Sequence, residues 1–253
     1  YINMEINFSN QTALITGATR GIGKQIAEDL VRLGANLILT GTKKDQIEML
    51  NEASKEDDKG KREYYCVDFT NAESAETFME ELKNYDKIDI CINNAGINKI
   101  DYIDEARTED WDDIISVNLK APFMVIREVS KIMKKNGYGR IINIASILGV
   151  ISKEKRSIYS SSKFGITGMT MAVSNELAKY NVLVNAVSPG FVLTDLTKRI
   201  LGKKEMETLE AQIPAQRLAE PSDISNVVLF LASTFNTYIT GQNIIVDGGY
   251  VNI

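Results

Sequence analysis

The 253 residues include no histidine and only two cysteines, which argues against a zinc centre and leaves carboxylate, lysine, cysteine or tyrosine as any general acid or base. A formal charge of −5 and a pI near 5.1 argue against nucleic acid or an anionic membrane as partner. Hydrophobic residues at 44% suit a soluble core, no apolar run reaches the ~18–20 residues of a bilayer span, and the first residues lack a signal-peptide pattern, so a cytoplasmic protein is expected.

The first predicted element is a short buried strand, Thr12 to Thr16, apolar and β-branched. It runs into Gly17-Ala18-Thr19-Arg20-Gly21-Ile22-Gly23 and then a helix with Ile22, Ile26, Leu30 and Leu33 on one face and Gly34 as its stop. Strand, glycine turn and helix together are the setting of a dinucleotide fingerprint, although G-x-x-x-G-x-G by itself also fits an ordinary tight turn. The glycines permit backbone angles closed to other residues and let a pyrophosphate approach the helix end.

A second strand is predicted over Ala35–Thr40, a charged helix from about Lys44 to Lys55, a solvated loop at Asp57–Lys61, and a third strand over Glu63–Val67. A helix follows from Ala72 to Asn84, with Ala75, Phe78, Met79 and Leu82 on one face, then a fourth strand over Ile88–Ile92. A long helical region from about Glu109 to Lys135 is interrupted by Pro122, which starts a second helix or kinks one. A fifth strand (Arg140–Ala145), a helix (Ile158–Lys179), a sixth strand (Leu183–Val187), a helix (Ser222–Ala232) and a seventh strand (Asn243–Val246) complete the series. Apolar strands alternating with helices mean an α/β fold, a Rossmann-type doubly wound parallel sheet of seven strands with helices on both faces. No linker or repeat divides the chain, so residues 1–253 read as one domain. Cys66 and Cys91 fall in predicted buried strands as small core residues.

Tyr159 and Lys163 are one helical turn apart and project from one face, with Ser146 thirteen residues upstream of the tyrosine. An ammonium ~4–5 Å from a phenol is worth roughly 3–4 kcal/mol at an effective dielectric of about 20, enough to bring a pKa near ~10 about two or three units closer to neutrality. Alone, Tyr-x-x-x-Lys also fits a solvated helix face. The glycine turn upstream changes the balance.

With these residues in place, the chain resembles the short-chain dehydrogenase/reductase family over essentially its whole length. Thr16-Gly17 to Gly23 resembles the family's glycine motif, Asn93-Asn94-Ala95-Gly96 its motif after the fourth strand, and Pro189-Gly190 that after the sixth. Asn118, Ser146, Tyr159 and Lys163 match its catalytic tetrad, and Tyr238 to Gln242 with Asp247-Gly248-Gly249 its C-terminal segment. Ile213-Pro214-Ala215-Gln216-Arg217-Leu218 adds a likeness to bacterial 3-oxoacyl-[acyl-carrier-protein] reductases.

The resemblance implies that Tyr159 exchanges a proton with the substrate oxygen, that Ser146 donates to that oxygen, that Lys163 lowers the tyrosine's pKa and bonds the nicotinamide ribose, and that Asn118 links Lys163 to solvent through a water. It also places Gly17, Thr19, Arg20, Gly21, Ile22 and Gly23 on the cofactor, with Pro189, Gly190, Val192 and Thr194 beyond the sixth strand. Asp68 and Phe69 are expected to flank the adenine, and Asn94, Ala95 and Gly96 to pass beneath the adenosine ribose. Charge decides the cofactor: an NAD site places an acid about ~20 residues past the glycines, whereas Thr40-Gly41-Thr42-Lys43-Lys44 carries none. Arg20, Thr42 and Lys43 suit a 2′-phosphate, favouring NADP(H) over NAD(H).

The function implied is interconversion of a ketone and a secondary alcohol by hydride transfer, with a 3-oxoacyl thioester as the first substrate, a route into fatty acid biosynthesis, and an acyl carrier protein as a candidate partner. A sugar, polyol or small keto-acid derivative is the alternative; a non-catalytic cofactor-binding sensor would be expected to lose Tyr159 or Lys163. Lys134, Lys135 and Lys179 are candidate basic residues beside the cleft, and Lys153, Lys155 and Arg156 either attract an anionic substrate or form a solvated loop. Residues 194–213 carry Leu196, Ile200, Leu201 and Met206 without a strong fold signal, and the resemblance makes them a mobile lid. The resemblance further implies a homotetramer, which the many apolar residues around the helices from Pro122 and Tyr159 support.

Overall fold

A computed structural model describes residues 5–55, 60–194, 197 and 202–252. Seven parallel strands, β1 (Thr12–Ile15), β2 (Asn36–Gly41), β3 (Arg62–Cys66), β4 (Ile90–Asn93), β5 (Gly139–Ile144), β6 (Val182–Pro189) and β7 (Asn243–Val246), form one sheet in the order β3-β2-β1-β4-β5-β6-β7. The chain winds outward from β1 in one direction and from β4 in the other, so the topological switch lies between these two strands. Their carboxyl ends diverge there and open a crevice, the place where such sheets bind ligands.

Helices α1 (Gly21–Arg32), α2 (Lys44–Lys55), α3 (Ala72–Leu82), α4 (Thr108–Ile115), α5 (Ala121–Asn136), α6 (Ser157–Leu177), α7 (Lys203–Glu210) and α8 (Pro221–Ala232) complete the described elements. Two cores lie on opposite faces of the sheet. One gathers Ile15, Ile26, Leu30, Ile92 and Ile144 with Val228 and Leu229 of α8; the other gathers Leu14, Cys91 and Ile141 with Phe78, Val125 and Val129. Alternate residues of each strand feed alternate cores, which is why the strands read as continuous apolar runs. Between α1 and α8, the Ser225 hydroxyl donates to the buried Asp29 carboxylate at 2.6 Å.

In the helical region before β5, Pro122 sits within the first turn of α5 and starts a second helix, as expected, while one π-helical turn, Ser116–Lys120, joins α4 to α5 without a break. Residues 203–210, expected to lack a fold of their own, form α7, opened by the Gly202 N–H donating to Glu205 Oε2 at 2.8 Å. Leu196, Ile200 and Leu201 of the expected lid, and Asp57 to Lys59 of the expected loop, lie outside the described residues. Cys91 is buried, but Cys66 ends β3 at the sheet edge and is exposed, its thiol turned to the Thr42 carbonyl at 3.7 Å. Among the described residues no helix is long and apolar enough to cross a membrane, and no cluster of acidic, cysteine or histidine side chains could hold a metal.

Candidate active site

The glycine turn is shaped by its neighbours. Gly17 has φ +65° and Gly21 φ +55°, and a Cβ on Gly23 would sit 2.4 Å from both Asn94 Nδ2 and Gly17 O. Asn94 Nδ2 donates to Thr16 O and Gly17 O at 3.0 and 2.9 Å, and Thr16 Oγ1 accepts the N–H groups of Asn94 and Ala95, each at 3.0 Å. The turn after β1 is thus tied to the segment after β4 across the switch point. The Thr40 hydroxyl accepts the Gly17 N–H at 3.1 Å, and a Cβ on Gly41 would meet Thr19 Cγ2 at 2.5 Å. That close approach brings Thr42 and Lys43 alongside Thr19 and Arg20.

Arg20, Thr42 and Lys43 are exposed, and among the described residues no hydrogen bond or ion pair engages the Arg20 or Lys43 side chain. The neighbouring Lys24 and Lys44 do pair, with Glu28 and Glu48. No acidic residue occupies the first turn of α1. Backbone cradle, helix N-terminus and two free cations together fit a dinucleotide with an additional phosphate. Thr194 extends this rim, since a Cβ on Gly21 would lie 3.5 Å from its Cγ2. Val192 pairs with Ala219 in a short bridge, and a Cβ on Gly190 would meet the Asp247 backbone at 2.8 Å, so the segment after β6 is held against the C-terminal glycines. The Ala215 N–H donates to Gly248 O at 3.1 Å, joining the segment from Ile213 to those same glycines.

Asp68 and Phe69 follow β3 on the side expected for the adenine. The Phe69 side chain is buried and edge-on to Phe78, so it belongs to the core and leaves only its backbone facing outward. Asp68 is exposed, and its Oδ1 accepts the Thr70 N–H and hydroxyl at 2.9 and 2.7 Å. It braces a turn while its other oxygen stays open.

Ser146, Tyr159, Lys163 and Asn118 converge at the carboxyl edge of β4 and β5. Ser146 follows β5 and accepts the Leu148 N–H at 3.1 Å, so it caps a short 3-10 turn, Ile147–Gly149, with its hydroxyl near enough to Tyr159 to act on the phenol's pKa. Lys163 is buried, its Nζ donates to Ile144 O at 2.9 Å, and it lies 5.5 Å from the Tyr159 ring centre. Asn118 binds Ile97 twice, accepting its N–H and donating to its carbonyl, each at 2.9 Å, and donates to Ser162 Oγ at 3.1 Å. The π-helical turn carries Asn118, and such turns recur at functional sites. Behind these residues runs a buried chain: Asn93 Nδ2 donates to Asn143 Oδ1 at 2.8 Å, and Asn143 Nδ2 to Thr170 Oγ1 at 2.9 Å. It fixes α6 to the sheet. The bonding roles of Thr16, Thr40, Ile97, Ser162 and this chain could not be read from the sequence because their partners are distant along it.

The electrostatics differ from the simple Tyr–Lys picture. Burial raises the Tyr159 phenol above its usual value, opposed first by the Ser146 hydrogen bond and then by the Arg156 charge. Lys163 is not among those opposing influences; its own burial draws its ammonium down to about 8. The lysine faces a backbone carbonyl rather than the phenol oxygen, which explains the difference.

Lys134, Lys135 and Lys179 do not flank this cleft. They end α5 and follow α6, at the amino edge of the sheet, and Lys134 and Lys179 lie over the Tyr180 ring at 5.4 and 5.2 Å. The cations beside the cleft are those of the loop between β5 and α6. Lys155 covers Tyr102 at 4.2 Å and Lys153 covers Phe191 at 5.6 Å.

Residues 17–251 match the sequence profile of the family described as enoyl-(acyl carrier protein) reductase. The chain is 39% identical over 248 residues to 3-oxoacyl-[acyl-carrier-protein] reductase FabG of Rickettsia bellii, covering 98% of this chain and all of the relative. It is 36% identical over 245 residues to the Escherichia coli protein of the same name, covering 96% and 98%. Among solved structures, a gluconate 5-dehydrogenase from Burkholderia cenocepacia in complex with NADP and tartrate superposes with a TM-score of 0.89 at 26% identity, covering 98% of this chain and 97% of that one.

Proposed function

The chain belongs to the short-chain dehydrogenase/reductase family, oxidoreductases acting on CH–OH groups with NAD(P), and from that premise we propose that it reduces the keto group of a 3-oxoacyl thioester with NADPH. The observation that carries the reading is the convergence of Ser146, Tyr159 and the buried Lys163 amine, held by the Ile144 carbonyl, at the crevice that the glycine turn faces. The substrate class is supported by relatives named for that reaction along the whole chain.

NADPH supplies the hydride. Ser146 holds the substrate oxygen as charge builds on it, and Tyr159 delivers the proton to the same atom. Lys163, held by the Ile144 carbonyl with its amine 5.5 Å from the Tyr159 ring centre, would bond the nicotinamide ribose. Asn118 keeps the segment at Ile97 and the helix at Ser162 in register around that lysine. Thr19, Ile22, Asn94, Ala95, Gly96, Pro189, Gly190, Val192 and Thr194 line the cofactor's path, with Asp68 and the Phe69 backbone toward its adenine. Arg20, Thr42 and Lys43 receive the 2′-phosphate.

We further infer a single domain with residues 194–213 as its lid, working in the cytoplasm as a homotetramer on substrate presented by an acyl carrier protein. The test is NADPH oxidation by purified protein with 3-oxobutyryl thioesters, free and on carrier protein, beside keto sugars and keto sugar acids. Thioester turnover well above the other classes supports the reading. A clear preference for the keto sugar acids, the oxidised counterparts of the gluconate named for the dehydrogenase relative, overturns it.

A further inference from the structure

Arg156 stands three residues before Tyr159, at the amino end of α6. Its Nε and Nη1 are buried and meet no hydrogen-bond acceptor, and among the described residues no carboxylate pairs with it. Arg156 as a whole is half-buried, and donor nitrogens shielded from water without an acceptor cost free energy, so these two call for a partner. Helix stability does not explain it, since the side chain caps nothing and a cation at a helix amino end opposes the macrodipole. Its two basic neighbours are already committed, Lys155 to Tyr102 on the β4–α4 side and Lys153 to Phe191 after β6. Arg156 is therefore the cation with free donors, close enough to Tyr159 for its charge to act on the phenol.

We propose that Arg156 is a specificity-determining residue that receives the carboxyl-derived oxygen of the substrate, two carbons from the ketone held by Ser146 and Tyr159. The inference rests on the ketone-reducing role proposed for the site. A 3-oxoacyl thioester offers that oxygen as its C1 carbonyl, and a free 3-oxo acid offers it as a carboxylate. Both place an sp² oxygen against the guanidinium edge, the acceptor geometry that arginine favours.

The experiment compares wild type, Arg156→Gln and Arg156→Lys with NADPH and three ketones. These are 3-oxobutyryl-N-acetylcysteamine, 3-oxobutyrate, and cyclohexanone, which lacks the second oxygen. Arg156→Gln is expected to lower kcat/KM for the two 3-oxo compounds about 10- to 100-fold, mainly through KM, with a much smaller loss on cyclohexanone. Arg156→Lys, which keeps the charge, restores part of the discrimination and guards against a merely misfolded glutamine variant. A greater loss on the acid names the carboxylate as the preferred group, and a greater loss on the thioester names the C1 carbonyl. Equal losses on all three ketones, or no loss, overturn the inference and leave the ketone-reducing reading intact. Reduction of none of the three by wild type overturns both.

Discussion

Tyr159 is held neutral by burial while Ser146 and Arg156 pull its pKa back, so at neutral pH it carries the proton that reduction needs. Tyr159→Phe removes that proton and little else. Turnover is expected to fall by about 10²–10⁴, with NADPH binding retained in a fluorescence titration; activity within about tenfold of wild type would refute the donor role. Lys163 gives a pH signature. Its folded pKa is depressed from 10.5 to about 8, so between those values the unfolded chain binds more protons and stability of the cofactor-free protein rises with pH. The burial penalty is fully present below pH 8. Denaturant midpoints from pH 7 to 10 should climb for wild type relative to Lys163→Met, by on the order of 1–3 kcal/mol, whereas a constant difference would contradict the burial of a titrating amine. For the cofactor, Arg20→Ala or Lys43→Ala should narrow the preference for NADPH over NADH, each well-formed phosphate contact contributing roughly 1.5–3 kcal/mol. Equal wild-type affinities for the two would remove the phosphate assignment. Tyr159 and Lys163 were legible because helical spacing alone puts them together. The Ile144 carbonyl that turns Lys163 away from the phenol oxygen is a backbone group that no sequence pattern marks.

Gly149 decides how the catalytic elements fit. A Cβ there would lie 2.6 Å from the Lys163 carbonyl oxygen, a backbone atom that moves only if α6 moves. Gly149→Ala should therefore displace the turn carrying Ser146 from the helix carrying Tyr159. We expect loss of about 1–3 kcal/mol in denaturant unfolding and a larger proportional loss of kcat than of cofactor affinity. Unaltered kcat would show that the two elements tolerate sliding. Asn143→Ala tests the polar chain beneath α6 in the same way, since it strands the Asn93 amide in the core while Thr170 keeps its bond to the Ile166 carbonyl, at about 1–3 kcal/mol by thermal or denaturant unfolding. The strands were readable from their apolar runs because both faces are covered. The π-helical turn at Asn118 was not, because it depends on contacts such as Leu119 against Gly165 rather than on local propensity. Nor was α7, where Met206 and Leu209 are half-buried in a mostly charged stretch too short to show a stripe. The lysines at 134, 135 and 179 were misplaced because charge gives no information about which sheet edge a helix end reaches.

At the scale of the molecule, packing of one chain accounts for only part of the apolar surface of α5 and α6. Ile166 and Leu177 enter the core and Met169 and Val173 pack against it, yet Phe123, Phe164 and Met171 remain 50%, 47% and 56% exposed. Tyr250 packs edge-on against Phe191 of its own chain at 5.0 Å, while Ile253 lies outside the described residues. The apolar faces of α5 and α6 are therefore the surfaces that the proposed tetramer would cover, pairing helix with helix across a two-fold axis. Phe164 adjoins Lys163, so this pairing would brace the catalytic helix from outside while the polar chain through Asn143 holds it from within. Light scattering at micromolar concentration should give a mass near four times the 28.1 kDa protomer. Phe164→Lys should lower that mass and, with it, specific activity at low protein concentration, since the unbraced helix still folds on its sheet contacts. A wild-type mass near that of one protomer would reject the assembly, and full activity of a monomeric Phe164→Lys would show that the catalytic helix needs no brace.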